Sequence, residues 1–275
     1  MAHAVPIWQP TEIRRFVANR DSGAGVLIVE TDAGTGYLKA MGNPGGDHVL
    51  ACEWVGTQLA RWLGLQTLDF ALIQVTRDDV LPFFRGGFAS VGPAFITRKE
   101  RGAAWSGTEH QLRRLVNPED ISRLVVFDTW TRNWDRHSPD GARINRDNVF
   151  LKQETKGRLL LKAIDHTHCF TRGHELTKRL ANIEFVKDPG VYGLFPEFRP
   201  FLDRRTVKRA AKRLGGLQRG EVWEIMEGIP KPWEVDPAAL AAFADFVVGR
   251  AAYLADRIEM KLFPQLEMFS GDSEG

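Results

Sequence analysis

The sequence predicts an α+β fold of two lobes sharing a cleft, a small strand-rich N-terminal lobe and a larger helical C-terminal lobe. Three observations support this expectation. The first third of the chain alternates short β-branched and aromatic runs with glycine turns, whereas from about residue 100 onward the apolar spacing lengthens to that of helices. A length of 275 residues, at roughly 100–200 residues per domain, fits one large domain or two lobes. The order of the polar motifs then decides for two lobes, with a boundary expected near Thr97: residues 1–97 as the strand-rich lobe and 98–275 as the helical one.

Composition excludes several classes. With 43% hydrophobic and 26% charged residues, the chain is neither disordered nor collagen-like. The 37 Lys and Arg against 35 Asp and Glu leave a formal charge of +2, too small for a protein that coats nucleic acid. Cys52 and Cys169 lie far apart without a Cys-x-x-Cys spacing, which argues against a disulfide scaffold. The first ten residues lack the basic and apolar regions of a secretory signal. A reducing cytoplasm is the expected compartment. No apolar run approaches the ~18 residues of a membrane span. The stretch 238–249 is interrupted by Asp245 and reads as a core helix.

Along the chain, residues 12–20, 26–31 and 37–41 read as three strands of an antiparallel meander. The breaks at 21–25 and 32–36 are Asp- and Gly-rich, and glycine tolerates the positive φ of tight turns. A helix is expected from His48 to Leu63, with Asp47 as its N-cap and Gly64 ending it. Its apolar stripe is Cys52, Val55, Leu59 and Trp62, with Glu53 at the stripe's edge. Residues 69–75 and 93–99 supply two further strands around a turn at Gly86 and Gly87.

The second part opens at Asn117, expected to cap a buried helix that has Pro118 in its first turn and continues over 121–134. Residues 148–151 and 159–165 are short apolar strands of the kind that flank a loop carrying chemistry. Asp203 opens a helix with Val207, Ala210, Ala211 and Leu214 inward. Asp236 and Pro237 open a long final one carrying Leu240, Phe243, Val247, Leu254 and Ile258 on one side.

The richest set of functional side chains is Asn133, Asp135, Arg136 and His137, then Asn145 and Asn148, then Asp165 and His166. Two carboxylates and an amide at the ends of buried elements form a hard oxygen set suited to Mg²⁺. Lys39 ends the third strand where a point charge reaches a phosphate, and Glu53 can hold it by a charge-assisted bond. Together these describe phosphoryl transfer. Taken singly, Lys39 reads as an edge residue and the segment 135–137 as a polar helix end. The order and spacing carry the functional reading.

The runs Asn133 to His137, Asp147 to Phe150 and Ala163 to His166, with 36–40 and 52–60 upstream, resemble the HipA-like kinases, which are distantly similar to the phosphatidylinositol kinases. The likeness runs from about residue 12 to 262 and includes 229–233 and the final helix. It implies a protein-kinase-like fold, ATP and Mg²⁺ as cofactors, and transfer of the γ-phosphate to a hydroxyl, with Ser or Thr of a protein as the expected acceptor. It further implies Asp135 as catalytic base, His137 supporting the catalytic loop or the γ-phosphate, Lys39 on the nucleotide phosphates with Glu53 as its partner, and Asn148 and Asp165 as metal ligands. The chain departs from the family's loop in having residues 138–147 between His137 and the metal-binding Asn. Asn148 is preferred because it directly precedes a strand, Asn145 stays open, and Asp140 is a further candidate.

Gly23 and Gly25, in the turn between the first two strands, are candidates to cover the phosphates with backbone N–H groups; a plain hairpin is the competing reading. The adenine is expected between the lobes, against 93–99 and the linker after it. The alternatives are a nucleotide-binding pseudokinase without transfer, which the displaced Asn would permit, and a kinase acting on a small molecule or lipid. A zinc site at His137, His166 and His168 lacks the usual ligand spacing. The basic face at 204–213 is a solvated helix face or a dock for an acidic or nucleic-acid partner.

Overall fold

The computed structural model describes residues 8–23, 25–46 and 48–264. Asp47, the expected cap of the first helix, lies outside them. A five-stranded antiparallel sheet in the order β1-β2-β3-β5-β4 forms the N-terminal part. It comprises β1 (Ile13–Asn19), β2 (Leu27–Thr31), β3 (Gly34–Lys39), β4 (Phe70–Val75) and β5 (Gly92–Arg98). β3 is central, between β2 and β5, and its last residue, Lys39, pairs with Phe95. A hydrogen-bonded central strand fixes the position of the side chain at its end.

α1 (His48–Leu63) joins the two lobes. Its N-terminal residues Val49 and Leu50 pack with Phe70, Phe95 and Trp233 at the sheet. Farther along, Val55, Leu59 and Leu63 enter the core of the helical part. Glu53 falls between these two contacts. Gly64 ends the helix with φ +96°, the left-handed conformation that glycine adopts without strain.

The C-terminal part is not wholly helical. β6 (Gly102–Ala104), β7 (Val149–Gln153) and β8 (Leu159–Ala163) form a second antiparallel sheet in that order. β6 is absent from the sequence expectation because Gly-Ala-Ala has no β-branched residue to mark a strand. The short helix α2 (Glu109–Leu112) leads to α3 (Glu119–Thr131).

α3 differs from expectation at both ends. Pro118, not Asn117, is the capping residue, because the Asn117 amide is used elsewhere. Its Oδ1 accepts from the N–H of Leu161 and its Nδ2 donates to the Leu161 carbonyl, both at 2.9 Å, tying the helix start to β8. At the other end α3 stops at Thr131, and Arg132 turns left-handed with φ 53°. Asn133 and Trp134 therefore lie in the loop.

α4 (Ile183–Val186), α5 (Arg204–Gly215), α6 (Arg219–Glu227), α7 (Pro237–Ala255) and α8 (Ile258–Leu262) are the remaining α-helices among the described residues. Asp203 caps α5 by accepting from the N–H groups of Arg205 and Thr206, and Asp236 caps α7 through Ala239. The expected long final helix breaks after Ala255, so Ile258 opens α8. By length and composition α7, at 19 residues and mean hydropathy 1.5, could cross a membrane. Its packing is that of a core helix: Phe243, Phe246, Val247 and Leu254 are buried, and the buried Arg250 donates to the Thr129 carbonyl of α3.

Cys52 and Cys169 are both free and fully buried. Burial pushes the Cys52 thiol up to about 12 and raises Cys169 as well, so neither forms the reactive thiolate near neutrality. A thiol reagent such as DTNB at pH 8 should label neither cysteine in the native protein and both in guanidinium. Rapid labelling of the native chain would contradict this packing.

Candidate active site

The two sheets and α1 enclose a cavity of about 230 Å³. Leu68, Phe95 and Thr97 contribute from the N-terminal part, Ala103, Phe150 and Ala163 from the second sheet, and Lys39, Glu53 and Asp165 stand at its polar end. Lys39 Nζ donates to Glu53 Oε2 at 2.7 Å and to Asp165 Oδ1 at 3.0 Å. Lys39 and Glu53 are only 8% and 3% exposed. Burial opposes every charge here, but mutual attraction prevails: Lys39 is held above its usual range, and Glu53 and Asp165 below theirs. The sequence separation between Lys39 and Asp165 shows how fully the fold assembles this triad.

Asp165 follows β8 with a left-handed backbone at φ 56°. A non-glycine residue rarely adopts that conformation. It is held there by its neighbours: the His166 N–H donates to Glu53 Oε2 at 2.9 Å, and the Thr167 hydroxyl donates to Asp165 Oδ1 at 2.7 Å. The His166 ring stands 3.1 Å from the Thr57 hydroxyl. His166 and Thr167 thus support the carboxylate, a role not visible in the sequence.

Asp135 is reached from both candidate amides. Asn145 Nδ2 and Asn148 Nδ2 donate to its Oδ2, at 3.0 and 2.8 Å. Residues between them and His137 loop out as a hairpin, with His137 bridged to Ile144 and the Ser138 N–H bonded to the Arg143 carbonyl at 2.9 Å. This hairpin accounts for the displaced Asn: the extra residues leave and return, and the amide still meets the carboxylate. Asp140 is spent on the turn, where it accepts from the Ser138 hydroxyl and the Ala142 N–H.

Asn145 and Asn148 differ in their oxygens. The Asn145 Oδ1 accepts from the Asp147 N–H, whereas the Asn148 Oδ1 and the Asp165 Oδ2 have no protein donor among the described residues. These are two hard oxygen donors of the kind Mg²⁺ combines with phosphate and water. Among the described residues, no group of three His, Cys, Asp or Glu side chains could hold a metal ion.

Arg136 ties the site together. Fully buried, it pairs through Nη1 with the fully buried Asp128, donates through Nε to the Asn148 carbonyl at 3.1 Å and through Nη2 to the Ile164 carbonyl at 2.7 Å. It therefore fixes the backbone of Asn148 and that of the residue before Asp165. His137 packs edge-on to Phe195, with centroids 5.2 Å apart, and burial lowers its basicity. Of the turn at 21–25, Arg20 and Val26 at its base line the cavity, while Gly25 lies against Phe83 and Pro44.

The model of the HipA-like kinase family matches residues 28–264. The chain belongs to the HipA-like kinases. No curated protein matches the sequence. Among solved structures, this HipA-like kinase is similar to the Helicobacter pylori proinflammatory kinase CtkA, at 11% identity and a TM-score of 0.58, over 92% of this chain and 96% of that one. The Shewanella oneidensis MR-1 HipA, solved with HipB and operator DNA, aligns with 92% of this chain and 70% of its own, at 12% identity and a TM-score of 0.41. The likeness to CtkA bears out the two-lobed protein-kinase-like fold.

The basic face of α5 in this HipA-like kinase is partly neutralised from within. Arg204 and Lys208 both reach Glu259, at 3.3 and 3.4 Å. Arg213 lies 4.9 Å over the Trp62 ring, in a groove of about 690 Å³ shared with Arg123, Arg209 and Lys212.

Proposed function

We propose that the chain transfers the γ-phosphoryl group of ATP to a hydroxyl, with Ser or Thr of a protein as acceptor. The observation that supports this best is Lys39 held between Glu53 and Asp165, with Asp135 bonded to Asn148. The adenine occupies the apolar end of the cavity, between Phe95 and Thr97 on one side and Ala103, Phe150 and Ala163 on the other. Lys39 neutralises the phosphates, and the 21–25 turn with Gly23 and Gly25 covers them. Asn148 and Asp165 hold Mg²⁺, which supplies charge neutralisation at the phosphates when bound. Asp135 orients the acceptor hydroxyl and takes its proton, and His137 supports the loop. The lobes divide near Thr97.

The test is intact mass and phosphate transfer after incubation with Mg-ATP. Asp135→Asn should lower transfer by about 10²–10⁴-fold, the range for loss of a general base, while nucleotide binding persists. Asp165→Asn should weaken Mg²⁺-dependent nucleotide binding itself. Unchanged ATP turnover in both variants would refute the assignment. A second reading, a nucleotide-binding module without transfer, draws support from the ion pair that Arg143 makes with Asp135 at 2.6 Å. It predicts Mg²⁺-dependent nucleotide binding with no phosphate transferred to any acceptor.

A further inference from the structure

The Asp135 carboxylate is crowded by three side chains. Its Oδ1 accepts from Arg143 Nε at 2.7 Å, with Nη2 of the same guanidinium 2.6 Å from that oxygen in the ion pair, and its Oδ2 accepts from Asn145 and Asn148. A carboxylate oxygen offers about two acceptor sites: the two amides fill those of Oδ2 and the guanidinium lies against Oδ1, so a substrate hydroxyl reaches Asp135 where one of these side chains gives way. Asn148 is buried, and the oxygen of Asn145 is tied to the Asp147 backbone. The Arg143 side chain is 54% exposed, so it is the donor that can move.

The hairpin that carries Arg143 is built to hold its backbone while the side chain swings. The Arg143 N–H donates to Ser138 Oγ at 2.9 Å, and its carbonyl accepts from the Ser138 N–H. Asp140 and the left-handed Gly141, at φ +70°, close the turn. A guanidinium lifted from a carboxylate loses a charge-assisted bond, and another anion restores it far better than a neutral group does.

We propose that Arg143 selects the acceptor: the Ser or Thr hydroxyl that reaches Asp135 is carried by a peptide with a carboxylate beside it, and that carboxylate takes over the guanidinium. This rests on the kinase reading above and adds the acceptor class to it. In the step itself, the acceptor oxygen bonds to the γ-phosphorus and its proton passes to Asp135. The bond from that phosphorus to the bridging oxygen breaks, and its electron pair leaves with ADP. Water brings no anion to Arg143, so the same contact suppresses hydrolysis of ATP when no acceptor is present.

The experiment compares two serine peptides that differ only in Asp or Asn next to the serine, with wild type, Arg143→Ala and Arg143→Lys. Melting temperature serves as the folding control. Wild type should prefer the acidic peptide by about tenfold in kcat/KM, the scale of one charged hydrogen bond. Arg143→Ala should lose that preference, by a gain on the neutral peptide, and should raise acceptor-independent ATP hydrolysis several-fold. Arg143→Lys should keep part of the preference. A wild type without preference overturns the proposal, as does an Arg143→Ala variant that retains it or that loses transfer to both peptides while still binding nucleotide. A wild type that phosphorylates neither peptide and hydrolyses no ATP refutes the kinase reading and this proposal together, a result distinct from transfer without preference.

Discussion

Replacing Lys39 by methionine should make stability depend on pH near neutrality as well as sharply lower phosphoryl transfer. In the native chain Lys39 holds Glu53 and Asp165 below their ordinary range. The stability those carboxylates contribute is therefore complete above about pH 4.5, their unfolded range, and is lost as pH falls through their lower folded values. Lys39 is shifted upward, so its own contribution is complete below about pH 10 and disappears only at higher pH. Between these limits the triad is fully charged, and stability should be nearly flat with pH.

Without the lysine, two buried carboxylates share a site with no cation between them. Burial, the largest influence on both, then raises them above their unfolded values. The folded state now binds protons more readily than the unfolded chain, so stability rises as pH falls from 8 to 5. At pH 7 the loss should be about 3–5 kcal/mol, the range for removing one partner of a buried pair. If Lys39 serves the phosphates as proposed, transfer should fall by at least about 10²-fold. Urea midpoints measured at pH 8, 7, 6 and 5 decide the matter. A Lys39→Met variant that tracks wild type on acidification would show that the carboxylates are not coupled through Lys39.

How far the sequence could reveal this site depended on whether a residue's role is local. Lys39, Glu53 and Asp165 were legible because each stands at the end or edge of an apolar run whose period fixes where it points. The two sheets were legible for the same reason, apart from β6, which carries no β-branched residue. The end of α3 was not, since Arg132 takes the left-handed position that glycine usually marks. Asn117 reads as a cap, yet its amide is consumed by Leu161, a partner 44 residues away. The segment 138–147 reads as an interruption of the catalytic loop, because its Ser, Asp and Gly signal a turn without indicating that the turn brings Arg143 back to Asp135. The part of Arg136 was hidden in the same way: a charged residue in the loop between Asp135 and His137 reads as solvated, and only the fold shows three interactions converging on it.

That convergence gives Arg136→Met the second large effect. Three interactions end at one fully buried guanidinium: Asp128, the Asn148 carbonyl and the Ile164 carbonyl. Burial already pushes the Asp128 carboxyl up despite its partner, so removing the cation strands a group the interior disfavours. The expected cost is about 3–5 kcal/mol, a large share of the ~5–15 kcal/mol that holds a typical domain. Adding Asp128→Asn removes the stranded charge, and an asparagine can still accept from Asn133 Nδ2, which donates to Asp128 at 3.0 Å in the native chain. The double variant should therefore recover much of the stability. It should not recover transfer, because the carbonyls of Asn148 and Ile164 remain untethered and their misplacement persists. Denaturant unfolding and phosphate transfer, measured on both variants, separate these roles. Recovery of activity in step with stability would mean that Arg136 serves the fold alone, and a single variant within about 1 kcal/mol of wild type would remove it from both roles.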